Sequence, residues 1–140
     1  MTIIQIAISG FILLELSNVV ALYFAPGSKY ANAVGVFSAW EKSKQDPEIH
    51  DFVRYLVYWV AGTKLIFILL LIVFILFADA ATQRIGVLAL VIAILSFYWR
   101  LFPLIRKMDQ SGQIEPKNYS IVLGVMIFVF VTVLLIAVMI

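Results

Sequence analysis

Five polar side chains within otherwise apolar stretches are the residues of this sequence that could do chemistry. They are Glu15, Asn18, Lys64, Ser96 and Arg100. An ionisable group inside a membrane costs from about 2.5 to more than 10 kcal/mol, so it needs either a partner or a function. A buried carboxylate can take up a proton and a buried ammonium can release one, whereas an opposite charge nearby holds both groups in their ionised forms.

The stretches that carry these side chains are long enough to cross a bilayer. Of the 140 residues, 64% are hydrophobic, against about 45–50% in a soluble domain. The mean hydropathy is +1.10, and a soluble fold of this size could not bury so much apolar surface. In lipid, the backbone must satisfy its own hydrogen bonds, which such runs can do only as helices. Four runs reach the required length of about 20 residues: 2–24, 55–77, 85–102 and 119–140.

The predicted fold class is therefore an all-α integral membrane protein, a four-helix transmembrane bundle in a single domain covering 1–140. The first connection is long, and residues 28–42 are predicted to form an amphipathic helix. Within it, Tyr30, Phe37 and Trp40 fall on one stripe at helical spacing. We expect this helix to lie at the membrane interface. A soluble loop helix packed against the bundle is the alternative.

Two prolines shape the second and third predicted helices. Asp46 can cap a helix that has Pro47 at its first position. The second helix should then run over 47–77, about 46 Å, and extend two turns beyond the lipid. In the third helix, Pro103 cannot donate a hydrogen bond to the carbonyl of Trp99, which predicts a kink there.

The distribution of basic residues predicts the orientation of the bundle. Seven of them flank the first and third connections, whereas only Arg84 flanks the second: Lys29, Lys42, Lys44, Arg54, Arg106, Lys107 and Lys117. Because Lys and Arg accumulate on the cytoplasmic side, both termini are expected to be extracytoplasmic. Every Trp and Tyr lies near the same cytoplasmic face, which indicates interfacial anchoring or, alternatively, a binding surface there.

The five polar side chains are predicted to lie in one layer of the bundle. Counted from the extracytoplasmic end, Glu15 and Lys64 each lie at a depth of about 20 Å, Ser96 at about 17 Å and Arg100 at about 23 Å. Asn18 shares a face with Glu15, and Arg100 shares a face with Ser96, because residues three or four apart are neighbours on a helix. If these faces point inward, the five side chains meet.

Three roles for this layer are open. Glu15 could pair with Lys64 or Arg100 and fix the register of the helices. The surplus cation could instead hold the phosphate or carboxylate of a lipid or other ligand. Finally, a proton or cation could alternate at Glu15 and Lys64. Two cations beside one acid favour the first role, since they keep the carboxylate charged.

Other kinds of site find little support in the sequence. Cysteine is absent and His50 is the only histidine, so thiolate metal sites and a bis-histidine haem are excluded. Asp46 and His50 are four apart and could share a metal ion, but acids collect in a first helical turn because the helix dipole favours them. No cofactor and no metal are therefore predicted. A net charge of +2 gives no reason to expect nucleic acid.

The predicted function is that of a small non-enzymatic membrane protein, either a self-associating or complex-forming subunit or a lipid-interacting scaffold. Its expected partners are the lipid bilayer, an anionic lipid, and either a second copy or a larger membrane complex. One alternative is a small proton- or ion-coupled transporter or channel that uses Glu15 and Lys64. A lipid-modifying enzyme is a further alternative, although no paired acid and base appear in the sequence.

Overall fold

The chain folds into α-helices joined by two structured connections. A computed structural model describes residues 2–140. Within that range the only strand-like pairing is one isolated antiparallel bridge between Phe37 and Ile114, and a single turn of 3₁₀ helix covers Val34–Val36. The α-helices are α1 (Ile3–Phe24), α2 (Ser38–Ser43), α3 (Pro47–Phe77), α4 (Ala80–Leu95), α5 (Phe97–Gln110) and α6 (Tyr119–Met139).

The prediction of four membrane-spanning helices is confirmed by length and composition. α4 and α5 together make one candidate span. The four candidate spans are therefore Ile3–Phe24, Pro47–Phe77, Ala80–Gln110 and Tyr119–Met139. Large apolar side chains cover their outer surface; Phe24 and Phe77, for example, are more than 80% exposed. Such a surface requires lipid around it. The chain is therefore a multi-pass helical membrane protein.

α1 and α6 lie at the centre of the packing. α1 packs against α3 and α6, and α4 packs against α6. The main apolar core includes the fully buried Ile8, Ile68 and Leu134. It lies towards the end that carries Thr2, Ile140 and the short turn at 78–79, here called the terminal end. The opposite end carries the connections 25–46 and 111–118 and is called the loop end.

The start of α3 is confirmed. The Asp46 carboxylate accepts hydrogen bonds from the backbone N–H groups of Glu48 at 3.1 Å and Ile49 at 3.3 Å. Pro47 occupies the first turn, and α3 extends over 31 residues. At 1.5 Å per residue this helix is longer than the roughly 30 Å hydrocarbon core.

The continuous helix expected over 28–42 is wrong. Ala31 and Asn32 have φ angles of 54° and 53°, a left-handed conformation that ends any right-handed helix. The Gly35 backbone packs directly against that of Gly27, where no Cβ would fit. The helical stripe therefore does not exist: Tyr30 is exposed, whereas Trp40 is buried.

The third predicted helix is interrupted at a serine, and the kink expected at Pro103 stays a prediction. Pro103 lies inside α5, and the interruption falls at Ser96, between α4 and α5. The Ser96 hydroxyl donates to the carbonyl of Ala93 at 2.6 Å. Its N–H is shared between the carbonyls of Ile92 and Ala93, both at 3.2 Å. A serine hydroxyl that bonds back to the preceding turn competes with the backbone hydrogen bonds of the helix there.

The two connections at the loop end form one structure, here called the loop cap (25–46 and 111–118). Two backbone hydrogen bonds of 2.9 Å join the connections. The Ser38 N–H donates to the carbonyl of Gln113, and the Glu115 N–H donates to the carbonyl of Val36. The Lys29 ammonium also donates to Glu115 Oε2 at 2.7 Å. This hydrogen bond lowers the pKa of the Glu115 carboxyl, so the link holds at neutral pH and is lost as the pH falls through that lowered pKa.

α6 begins with an unusual cap. Its N-cap residue, Asn118, is left-handed and makes no capping bond with its own side chain. The buried carboxylate of Asp109, from α5, takes this role. It accepts from the N–H groups of Asn118 at 3.1 Å and Ser120 at 2.9 Å, and from the Ser120 hydroxyl at 2.5 Å. One side chain thus joins α5 to the start of α6.

Replacing this borrowed cap should destabilise the protein. Asp109→Ala leaves two backbone N–H groups and one hydroxyl without their acceptor. We expect the unfolding midpoint in mild detergent to fall by several degrees. Asp51→Ala is the control, since Asp51 makes only an exposed 3.7 Å contact with Arg54. Equal midpoints for the two variants would contradict a structural role of Asp109.

Candidate functional site

An ion pair joins α1 to α3 between the two ends of the bundle. Lys64 Nζ lies 2.8 Å from Glu15 Oε2, with side-chain exposures of 34% and 26%. The same ammonium donates to Asn18 Oδ1 at 2.7 Å. Glu15 and Asn18 are three residues apart on α1, so both present their oxygens on one face. Because the distances are short and both side chains are partly buried, each charge offsets part of the other's desolvation cost.

Asn18 connects this ion pair to the loop cap. Its amide nitrogen donates to the backbone carbonyls of Ala31 at 2.6 Å and Asn32 at 3.0 Å. These are the two left-handed residues of the first connection, and the Asn32 side chain also accepts from the Tyr119 hydroxyl at 3.0 Å. A non-glycine residue in this conformation costs of order 1–3 kcal/mol. The hydrogen bonds from Asn18 help to hold it.

Ser96 and Arg100 lie across from this network and do not touch it. The Ser96 hydroxyl is engaged by Ala93. The Arg100 guanidinium lies 5.3 Å from the centroid of the Trp99 ring and makes no ion pair with any residue of the range 2–140. The structure therefore brings Glu15, Asn18 and Lys64 into direct contact and leaves Arg100 as a cation without a counterion.

All five predicted residues nevertheless line one cavity of about 630 Å³, here called the polar cavity. Glu15 and Asn18 line it from α1, Lys64 from α3, Ser96 from the junction of α4 and α5, and Arg100 from α5. The rest of the wall is mainly apolar and includes Phe11, Ile94, Phe97, Met126, Ile127 and Phe130. The polar cavity thus combines a charged side with an apolar side.

The loop cap bounds the polar cavity on one side. Ala31 and Asn32 form its boundary towards the loop end. Two further lining residues, Leu14 on α1 and Leu101 on α5, are 50% and 53% exposed. Both belong to candidate membrane spans.

The charges of the polar cavity do not balance. Its lining contains two cations, Lys64 and Arg100, and one acid, Glu15. Since Glu15 is engaged by Lys64, the remaining positive charge is that of Arg100. A positively charged cavity with apolar walls can hold an anion that also carries an apolar group.

The contribution of Ala31 and Asn32 was not predicted, because the helical pattern over 28–42 placed them in a helix. Pro26-Gly27 just before them is a turn dipeptide, and asparagine tolerates the left-handed conformation. These two signals could have indicated a folded-back connection. No sequence pattern, however, indicates that its carbonyls would reach Asn18.

His50 has a packing role. Its Nδ1 lies 2.8 Å from the hydroxyl of the buried Ser43, and its ring centroid lies 4.9 Å from that of Trp40. The Ser43 hydroxyl donates to the carbonyl of Trp40 at 2.8 Å. These contacts fasten α2 to the start of α3. In residues 2–140, no three acidic or histidine side chains come together as metal ligands would.

Comparisons with known proteins give no guide to the role of the polar cavity. No protein family, curated protein or solved structure matches the chain.

A double-mutant cycle should show that Glu15 and Lys64 depend on each other. Glu15→Gln and Lys64→Met each strand a charge, so each should lower the free energy of unfolding in detergent by about 1–3 kcal/mol, less than for a fully buried pair. The double variant should recover much of this loss. In the control cycle, Glu41→Gln with Lys44→Met, the pair is exposed and the coupling should stay below about 0.5 kcal/mol. Additive losses at Glu15 and Lys64 would contradict the pairing.

Proposed function

We propose that this protein is a non-enzymatic membrane protein that binds an anionic amphiphile in the polar cavity. The ligand would carry a carboxylate or phosphate group on an apolar chain. The observation that carries this proposal is Arg100, a cation without a counterion in a cavity whose wall is otherwise largely apolar. We propose the polar cavity as the site of the lipid-interacting role expected from the sequence.

The chemistry of Arg100 suits an acidic headgroup. A guanidinium presents several N–H donors in a planar fork and can bind carboxylate or phosphate through two parallel hydrogen bonds. Lys64 lies in the same cavity and adds positive charge, although Glu15 already engages it. The acidic group would therefore bind at Arg100, with the Glu15–Lys64 pair as a fixed polar boundary.

The rest of the polar cavity suits an apolar chain. Phe11, Phe97 and Phe130 supply aromatic walls, and Met126 supplies a flexible one. The volume of about 630 Å³ falls within the range of about 300–1,000 Å³ for small-molecule sites. The half-exposed Leu14 and Leu101 would flank an opening through which such a chain enters from the bilayer.

The basic residues around the loop cap support an orientation for this complex. Seven Lys and Arg flank its connections, which favours a cytoplasmic loop end and extracytoplasmic termini. The loop cap would then lie at the cytoplasmic interface. Arg100, about 23 Å from the terminal end, would hold the headgroup near that interface while the chain lies deeper.

A protein with this site would act by holding a lipid within a membrane assembly. The outer surface of α6 has no charged side chain, and Val122 and Phe128 on it are more than 60% exposed. Helices of this kind pack against lipid or against other helices. Self-association or association with a larger complex through α6 is part of the proposal.

Ion coupling at Glu15 and Lys64 is the second candidate function. The partial exposure of both side chains in the polar cavity favours it, because an ion could reach them. Their direct 2.8 Å contact weighs against it, since an ion could bind Glu15 only by displacing the Lys64 ammonium. Proton flux through vesicles containing the protein, lost in Glu15→Gln, would favour this function over lipid binding.

Arg100→Gln should reduce the binding of anionic amphiphiles. With the purified protein in neutral detergent, oleate and lysophosphatidic acid should be retained in native mass spectra in preference to lysophosphatidylcholine. Loss of the guanidinium should weaken retention of the two anionic lipids about tenfold, since hydrogen bonds to charged groups are worth about 1.5–3 kcal/mol.

The matched control is Arg84→Gln, which removes an arginine at the terminal end, outside the polar cavity. Its retention of lipid should equal that of the parent. A parent protein that does not prefer anionic lipids, or equal losses in the two variants, would contradict the proposal.

A further inference from the structure

A second concavity, here called the basic recess, lies at the loop end between the last turns of α5 and the connection 111–118. Its volume is about 510 Å³. Its lining includes three α5 residues and three from the connection: Arg106, Asp109, Gln110, Gly112, Lys117 and Asn118. None of its lining residues belongs to the polar cavity, so it is a separate site.

The one acid of the basic recess is already engaged. The Asp109 carboxylate accepts three hydrogen bonds from the start of α6, and the residue is only 8% exposed. Its negative charge is therefore directed mainly at the α6 N-terminus. It does not neutralise both Arg106 and Lys117, so the recess keeps an excess of positive charge.

Both cations of the basic recess have unused N–H donors. The half-buried Arg106 makes one long hydrogen bond, 3.4 Å from Nη1 to the Ser120 hydroxyl, whereas a guanidinium has five N–H donors. Lys117 makes no ion pair with any residue in the range 2–140. One cation comes from a helix and the other from a connection, so the fold itself brings them to the same concavity.

We propose that the basic recess binds a phosphate group, carried by a lipid headgroup or by a soluble phosphate. Phosphate offers several oxygens to a guanidinium fork and to a lysine point charge. Basic pockets between helices at the membrane surface are suited to anionic headgroups. The buried Asp109–Ser120 contact fixes the floor beneath Arg106, so the site does not depend on a flexible side chain alone.

The test measures phosphate binding in two arms. In the first, inorganic phosphate is titrated into the full-length protein in neutral detergent and followed by ³¹P line broadening. In the second, phosphatidic acid is counted by native mass spectrometry in an Arg100→Gln background, so that the polar cavity does not contribute. Lys117→Gln and Arg106→Gln should each weaken binding about tenfold. Lys107→Gln removes a neighbouring cation outside the recess and should leave the affinity within about twofold.

Each outcome bears on the recess independently of the polar cavity. Loss of binding by the two recess variants in both arms supports the proposal; loss in the lipid arm alone assigns the phosphate to a headgroup, and loss in the other arm alone assigns it to a soluble compound. Lys117 is exposed and makes no contact that the fold needs, so its variant remains informative if Arg106→Gln unfolds. Absence of binding in both arms, or equal weakening by Lys107→Gln, overturns the proposal.

Discussion

The contact of Lys64 with Glu15 and Asn18 is the interaction on which the rest of the structure depends. A charge within a membrane-spanning helix must be compensated, and here one ammonium meets a carboxylate and an amide oxygen within 2.8 Å. These contacts fix α1 against α3. Through the amide of Asn18 they also fix the left-handed turn at Ala31 and Asn32, which positions the loop cap. A single polar network therefore links two helices to each other and to the cover of the polar cavity.

The polar cavity exists because the bundle is packed unevenly. Towards the terminal end, apolar side chains such as Ile8 and Leu134 are fully buried and fill the core, whereas nearer the loop end the polar cavity remains beside Ala31 and Asn32. Its lining combines charged side chains with aromatic rings. Glu15 and Lys64 neutralise each other, so the chemistry open to a ligand is that of Arg100. This division of roles explains how one layer can contain both a structural ion pair and a candidate binding site.

Much of the fold could be predicted from the sequence, and the predictions that failed did so for physical reasons. Composition sufficed for four membrane helices, and the rise per residue correctly placed Glu15 and Lys64 at one depth. Depth alone could not show that Arg100 would remain apart from Glu15, because depth does not fix the direction in which a side chain leaves its helix. Helical periodicity failed over 28–42, where tertiary hydrogen bonds from Asn18 stabilise a left-handed turn that local propensity opposes. The borrowed cap formed by Asp109 was also missed, since its partners lie across a turn and nothing local marks them.

The central claim is that the polar cavity opens to lipid and accepts an anionic amphiphile, and spin labelling at one of its lining positions tests this most directly. Because the chain has no cysteine, Ser96→Cys gives a single nitroxide at the cavity, and Ser111→Cys gives one on the exposed loop cap for comparison. In bilayers, oxygen should collide with the Ser96 label more often than a water-soluble nickel chelate does, and oleate should reduce both oxygen collisions and label mobility there alone. Dominant collisions with the nickel chelate, or no response to oleate at Ser96, would contradict the account.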